Sequence, residues 1–126
     1  MQLWRTFCYF QFFLLLSAFI FLGLTPSPEK AVPMFNDKLM HCTGYFVAAF
    51  SISFAFPLRK LHWRAIFLIV FSIGIEIAQY LMPPRTFDIV DILANTSGAL
   101  IGLNVLTLLS KYISFVRHMM FWSHRI

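Results

Sequence analysis

The residues able to do chemistry fall in three short stretches. Asp37, Lys38, His41 and Tyr45 form the first, Glu76 and Gln79 the second, and Arg85, Asp88, Asp91 and Asn95 the third. Residues three or four apart share a helix face, so Asp37, His41 and Tyr45 make one polar stripe. Glu76, Gln79 and Tyr80 make another, and Asp88, Asp91 and Asn95 a third. Lysine offers an anion a point charge and arginine a bidentate fork, so Lys38 and Arg85 suit an anionic head group. Glu76, His41 and Asp91 are the candidates for moving a proton, as carboxylates and an imidazole do in general acid–base work. Asp37, Lys38, Tyr45, Gln79, Arg85, Asp88 and Asn95 are the candidates for holding a substrate. A divalent cation on some of Asp37, His41, Glu76 and Asp91 is an open alternative. No tight metal-ligand motif accompanies them, however, so neither a metal nor any other cofactor is expected.

The elements that position these residues are apolar. The chain has 126 residues, 60% hydrophobic and 12% charged, with a mean hydropathy of +0.77. That composition is far from a soluble domain and points to an all-α, polytopic membrane protein. A hydrocarbon layer about 30 Å thick needs roughly 20 apolar residues per helix. Four runs approach that length, about 7–24, 39–56, 63–82 and 89–109, so a single membrane domain built as a four-helix bundle is expected. Pro26 and Pro28 close the first run, Pro57 the second, and Pro83 with Pro84 the third, because proline cannot continue a helix. The first run lacks a convincing small-residue cleavage site, which favours a retained helix over a removed signal. The tail, residues 111–126, mixes aromatics with Lys111, Arg117 and Arg125, a basic amphipathic pattern suited to a membrane surface.

With four spans, Arg5, Arg59, Lys60, Arg64, Lys111, Arg117 and Arg125 share one side, and Lys30, Lys38 and Arg85 share the other. Seven cations against three place both termini in the cytoplasm of a bacterial inner or plasma membrane. The basic residues are scattered singly, with no stripe interleaved with aromatics, so nucleic acid is excluded as a partner. Cys8 and Cys42 sit in apolar runs without metal spacing and read as small buried hydrophobes. In this topology all three polar stripes lie at the outer ends of their helices, with Glu76 about 9 Å below the end of its span. Four of the five acidic residues thus occupy one layer. An ionisable side chain facing lipid costs about 3 kcal/mol on insertion scales, so the stripes should face one another. Deeper in the fourth run, Ala94, Gly98 and Gly102 repeat a small residue every fourth position, the pattern of close helix packing. Gly44 and Gly74 are the expected counterparts.

The stretches "DKLMHCTGYF", "GIEIAQ" and an arginine followed by "FDIVDILANTSGALIG" resemble the VanZ family of small membrane proteins in order and spacing. The likeness spans residues 37–102 and marks Asp37, Lys38, His41, Tyr45, Glu76, Gln79, Arg85, Asp88, Asp91, Asn95, Gly98 and Gly102. It implies a role at the cell envelope, and its namesake is associated with resistance to the glycopeptide teicoplanin. The expected function is to bind or process the head group of a membrane lipid or lipid-linked envelope precursor in an outward-facing pocket. Two alternatives use the same residues without chemistry: a lipid- or glycopeptide-binding protein, and a structural membrane subunit. Transport is disfavoured, because no polar path crosses the cytoplasmic halves.

Overall fold

The computed structural model describes residues 1–25, 37–83 and 86–122. Pro26, Pro28, Lys30, Pro84, Arg85 and Arg125 lie outside these residues. The described chain is all-α, with five helices: α1 Gln2–Leu24, α2 Asp37–Ala55, α3 Leu61–Tyr80, α4 Ile89–Tyr112 and α5 Ser114–Phe121. The breakers stand where the sequence puts them: Pro57 lies in the turn between α2 and α3, and Pro83 just beyond α3. α1 and α4 extend the expected runs into their polar flanks, because a helix backbone tolerates interface residues such as Arg5 and Lys111.

Side-chain contacts fix the helices as alternately antiparallel. At one end of the bundle, Gln79 near the end of α3 donates to the Gly23 carbonyl near the end of α1, at 2.8 Å. At that same end Lys38, near the start of α2, meets Asp88 and Asp91 at the start of α4. At the opposite end Gln11 of α1 and Ser51 of α2 exchange hydrogen bonds: Ser51 Oγ donates to Gln11 Oε1 at 2.6 Å, and Gln11 Nε2 donates to the Ser51 carbonyl at 3.1 Å. α5 folds back there, with Trp4 Nε1 donating to the Met119 carbonyl at 2.9 Å and Met120 buried.

The core lies around α2 and includes Phe12, Leu16, Tyr45, Ala48, Ala49, Ile52, Leu68, Ala99 and Leu103. Truncating one of these, as in Leu68→Ala, would cost roughly 2–5 kcal/mol by the usual cavity penalty. The outer surface carries large apolar side chains along three helices, among them Phe10, Phe13 and Phe21 on α1, Ile66 and Val70 on α3, and Leu93 and Ile101 on α4. A surface so apolar is compatible with a lipid surround, and α1, α3 and α4 are each long and apolar enough to cross a membrane. The chain is therefore a helical membrane protein. Among the described residues three helices meet that measure, against the four expected, and α2 is the one outside it. The reason is its polar content: Asp37, Lys38 and His41 stand at its start, and α2 packs against every other helix, so Ser51 and Ser53 are buried there where α1 exposes phenylalanine.

The α2–α4 contact is the closest. A side-chain carbon at Gly98 would lie 2.8 Å from the Cys42 carbonyl carbon, and one at Gly102 would lie 2.7 Å from both the Ala49 Cβ and the Phe46 oxygen. The expected small-residue seam thus exists, with different counterparts. It meets the α2 backbone at Cys42 and Phe46, while Gly44 faces Phe19 of α1 and Gly74 has nothing within 4 Å.

Candidate functional site

The end of the bundle that holds the acidic layer is built around Lys38. Its ammonium lies 2.6 Å from Asp88 Oδ2 and 3.5 Å from Asp37 Oδ2, and it also contacts Asp91 Oδ1 at close range. Asp88 caps α4, accepting the Val90 N–H at 2.8 Å, as a carboxylate at the positive end of a helix dipole should. The Lys38 ammonium, together with that N–H, holds the Asp88 carboxyl below the usual carboxylate range.

One turn deeper, His41 Nδ1 pairs with Asn95 Oδ1 at 2.9 Å, and Asn95 Nδ2 donates to Ser72 Oγ at 2.7 Å. Tyr45 also reaches Ser72. His41 Nε2 stands 3.7 Å from Asp37 Oδ1 and 3.6 Å from Asp91 Oδ2. Glu76 and Asn95 are fully enclosed, at 0% and 2% exposure, which burial makes costly for any polar group left without a partner. Glu76 Oε2 accepts the Asp88 N–H at 3.2 Å, while its Oε1 is buried without a hydrogen-bond partner among the described residues.

The structure therefore brings Asp37, Lys38, His41, Tyr45, Glu76, Asp88, Asp91 and Asn95 into one connected cluster between α2, α3 and α4. Arg85 lies outside the described residues. Gln79 is at the same level but turns toward α1 through Gly23. Tyr80, expected on the Glu76 stripe, is 66% exposed and takes no part, because a residue one position past Gln79 rotates off the packed face. Ser72 is a member the sequence reading missed. It lies one helical turn before Glu76 and ties α3 to Asn95. Its spacing was the available signal, but a serine in an apolar helix more often bonds its own preceding turn, as Ser97 does with the Leu93 carbonyl.

Beside the cluster, α1, α2, α3 and α4 line a half-open cavity of about 160 Å³. Phe19, Leu22, Met40 and Ile75 form its apolar wall, and Asp37, His41, Gln79 and Asn95 its polar end. Gly23 and Gly44 also border it.

These features now bear comparison with known proteins. The family model described as VanZ/LLP1 matches residues 9–110. The chain belongs to the VanZ/LLP1 family. The matched span includes every site residue named above and the greater part of the helical bundle. No curated protein and no solved structure matches the chain.

Proposed function

We propose that this VanZ/LLP1 protein is a four-span protein of a bacterial inner or plasma membrane, with both termini cytoplasmic, whose outward end receives a membrane amphiphile. Its ligand would be a lipid or a lipid-linked envelope precursor. The observation that carries this reading is the cavity whose apolar wall runs beside α1 and whose polar end is His41, Asp37, Gln79 and Asn95. A volume of about 160 Å³ is below the roughly 300–1,000 Å³ of a pocket that engulfs a drug-sized ligand. It suits a head group and the start of its chain, with the remainder lying in the bilayer. Glu76, His41 and Asp91 are then the groups placed to transfer a proton, and Arg85 the residue to meet an anionic head group.

A structural subunit is the second reading, and one observation favours it: Lys38 already spans three carboxylates of α2 and α4, which suits a cross-brace. The two readings separate through mass spectrometry of lipids retained by the intact purified protein. A side-chain carbon at Gly44 would meet only the Phe19 ring, at 3.4 Å, so Gly44→Leu should fold while filling the cavity. A retained amphiphile that Gly44→Leu expels supports the lipid reading. No retained amphiphile, or one indifferent to Gly44→Leu, leaves the structural role. Teicoplanin sensitivity of cells carrying Glu76→Gln or Asp91→Asn tests whether the resistance associated with the family's namesake extends to this chain.

A further inference from the structure

The hydrogen bonds around His41 fix which of its nitrogens is free. Asn95 Nδ2 donates to Ser72 Oγ, so the amide presents Oδ1 to His41 Nδ1. An amide oxygen only accepts, so Nδ1 carries a proton, and in the neutral ring Nε2 keeps the lone pair. That lone pair meets Asp37 Oδ1 at 3.7 Å and Asp91 Oδ2 at 3.6 Å. These separations are too long for hydrogen bonds, and neither oxygen has a proton to give. With the ring neutral, three residues whose ligand atoms lie within 4.8 Å of one another converge without a donor turned inward.

Each of the three is also held from behind. The second oxygens, Asp37 Oδ2 and Asp91 Oδ1, face the Lys38 ammonium, and the second imidazole nitrogen faces Asn95. Partners of this kind orient the ligands of a metal ion and set the histidine tautomer. Metal–ligand bonds of about 2.0–2.2 Å place neighbouring ligand atoms roughly 3–3.7 Å apart, depending on coordination geometry. The measured separations of 3.6 and 3.7 Å fall at the top of that range.

A separate observation comes from α3. Glu76, one turn from the Ser72 that anchors Asn95, accepts the Asp88 N–H and stands within electrostatic reach of Asp91 and His41. It is wholly enclosed, and its Oε1 has no hydrogen-bond donor among the described residues. The charge balance points the same way. Among the described residues, the carboxyl groups of Asp37, Glu76, Asp88 and Asp91 outnumber the one ammonium of Lys38, and a dication would offset that excess.

We propose that Asp37, His41 and Asp91 bind a divalent transition-metal cation, with Asn95 and Lys38 orienting the ligands and the buried Glu76 carboxylate facing the ion. One imidazole with two carboxylates selects Zn²⁺ or Mn²⁺, since imidazole suits the former and carboxylates the latter. Three protein ligands leave a coordination position open, as in metal sites that admit a further ligand. Asp37 and His41 both border the cavity, so that position faces it. The ion site stands whether or not the cavity takes a lipid.

The test uses full-length protein in detergent, without a polyhistidine tag, stripped by chelator and titrated with Co²⁺ alone. One equivalent should bind with a visible d–d absorption band, be displaced by Zn²⁺, and raise the thermal unfolding midpoint. His41→Ala and Asp91→Asn should weaken binding at least 10-fold, and Asn95→Ala about 10–100-fold, the usual effect of removing an orienting partner. His62→Gln, an exposed histidine at the far end of the bundle, should leave the titration unchanged. Wild-type protein that shows no saturable Co²⁺ band overturns the proposal without recourse to any variant. So does a folded His41→Ala protein that binds as tightly as wild type.

Discussion

Replacing Gly98 by alanine adds one carbon where α4 is seated on the α2 backbone, so its effect can be worked from distances. The new carbon would lie 2.8 Å from the Cys42 carbonyl carbon and 3.0 Å from its Cα, where ordinary contacts begin at 3.4 Å. Both are backbone atoms and cannot swing aside. The Cys42 carbonyl oxygen stands closer still, so α4 must retreat from α2 by more than 3.4 − 2.8 = 0.6 Å. Asn95 is less than one turn away on α4, and its 2.9 Å pairing with His41 would lengthen beyond about 3.5 Å, the edge of a hydrogen bond. Overpacking costs about 1–3 kcal/mol. A buried polar pair left unmade costs about 1–3 kcal/mol more. Alanine's better helix propensity returns about 1 kcal/mol. The expected net loss is roughly 1–5 kcal/mol, read as a lowered unfolding midpoint in detergent. Gly74→Ala is the control, since nothing lies within 4 Å of the added carbon and only the propensity gain remains. Gly98→Ala protein as stable as Gly74→Ala protein would refute the close α2–α4 packing and the coupling to His41.

Three further outcomes follow from the same geometry. Lys38→Met should destabilise by about 1–3 kcal/mol, less than a fully buried pair because the Lys38 side chain is 40% exposed. Adding Asp91→Asn should recover part of the loss in a double-mutant cycle, and strict additivity would show the two residues uncoupled. Asn95→Ala strands His41 Nδ1 and leaves Ser72 only Tyr45 as a partner among the described residues, so a loss of about 1–3 kcal/mol is expected by chemical denaturation, and a neutral result would deny that the His41–Asn95 pair is satisfied in the fold. For topology, Thr86→Cys in a background carrying Cys8→Ala and Cys42→Ala should react with an impermeant thiol reagent added to intact cells. Labelling only after permeabilisation would reverse the orientation.

Most of the framework was legible in the sequence. The four helical runs, their proline boundaries and the glycine seam at Gly98 and Gly102 follow from apolar length and spacing, which local backbone chemistry enforces. The polar stripes were legible for the same reason, since helical periodicity puts His41 above Tyr45 and Asp91 above Asn95 whatever the neighbours do. α2 was harder to classify. Its polarity belongs to a central, buried helix, and burial by other helices is a property of the assembly.

Periodicity fixes the face and depth of a residue but not how its helix is rotated against its neighbours. Sequence therefore determined that acids, a lysine and a histidine share one end of a helical membrane protein. Only the packed bundle decided that Lys38 spans three carboxylates, that Gln79 serves α1 and that the seam of α4 meets the Cys42 and Phe46 backbone. It also separated Ser72, which bonds across to Asn95, from Asn104 and Thr107, which bond back to carbonyls of their own helix. A polar side chain in a helix has both choices, and the one it takes depends on whether an acceptor or donor from another helix stands within reach.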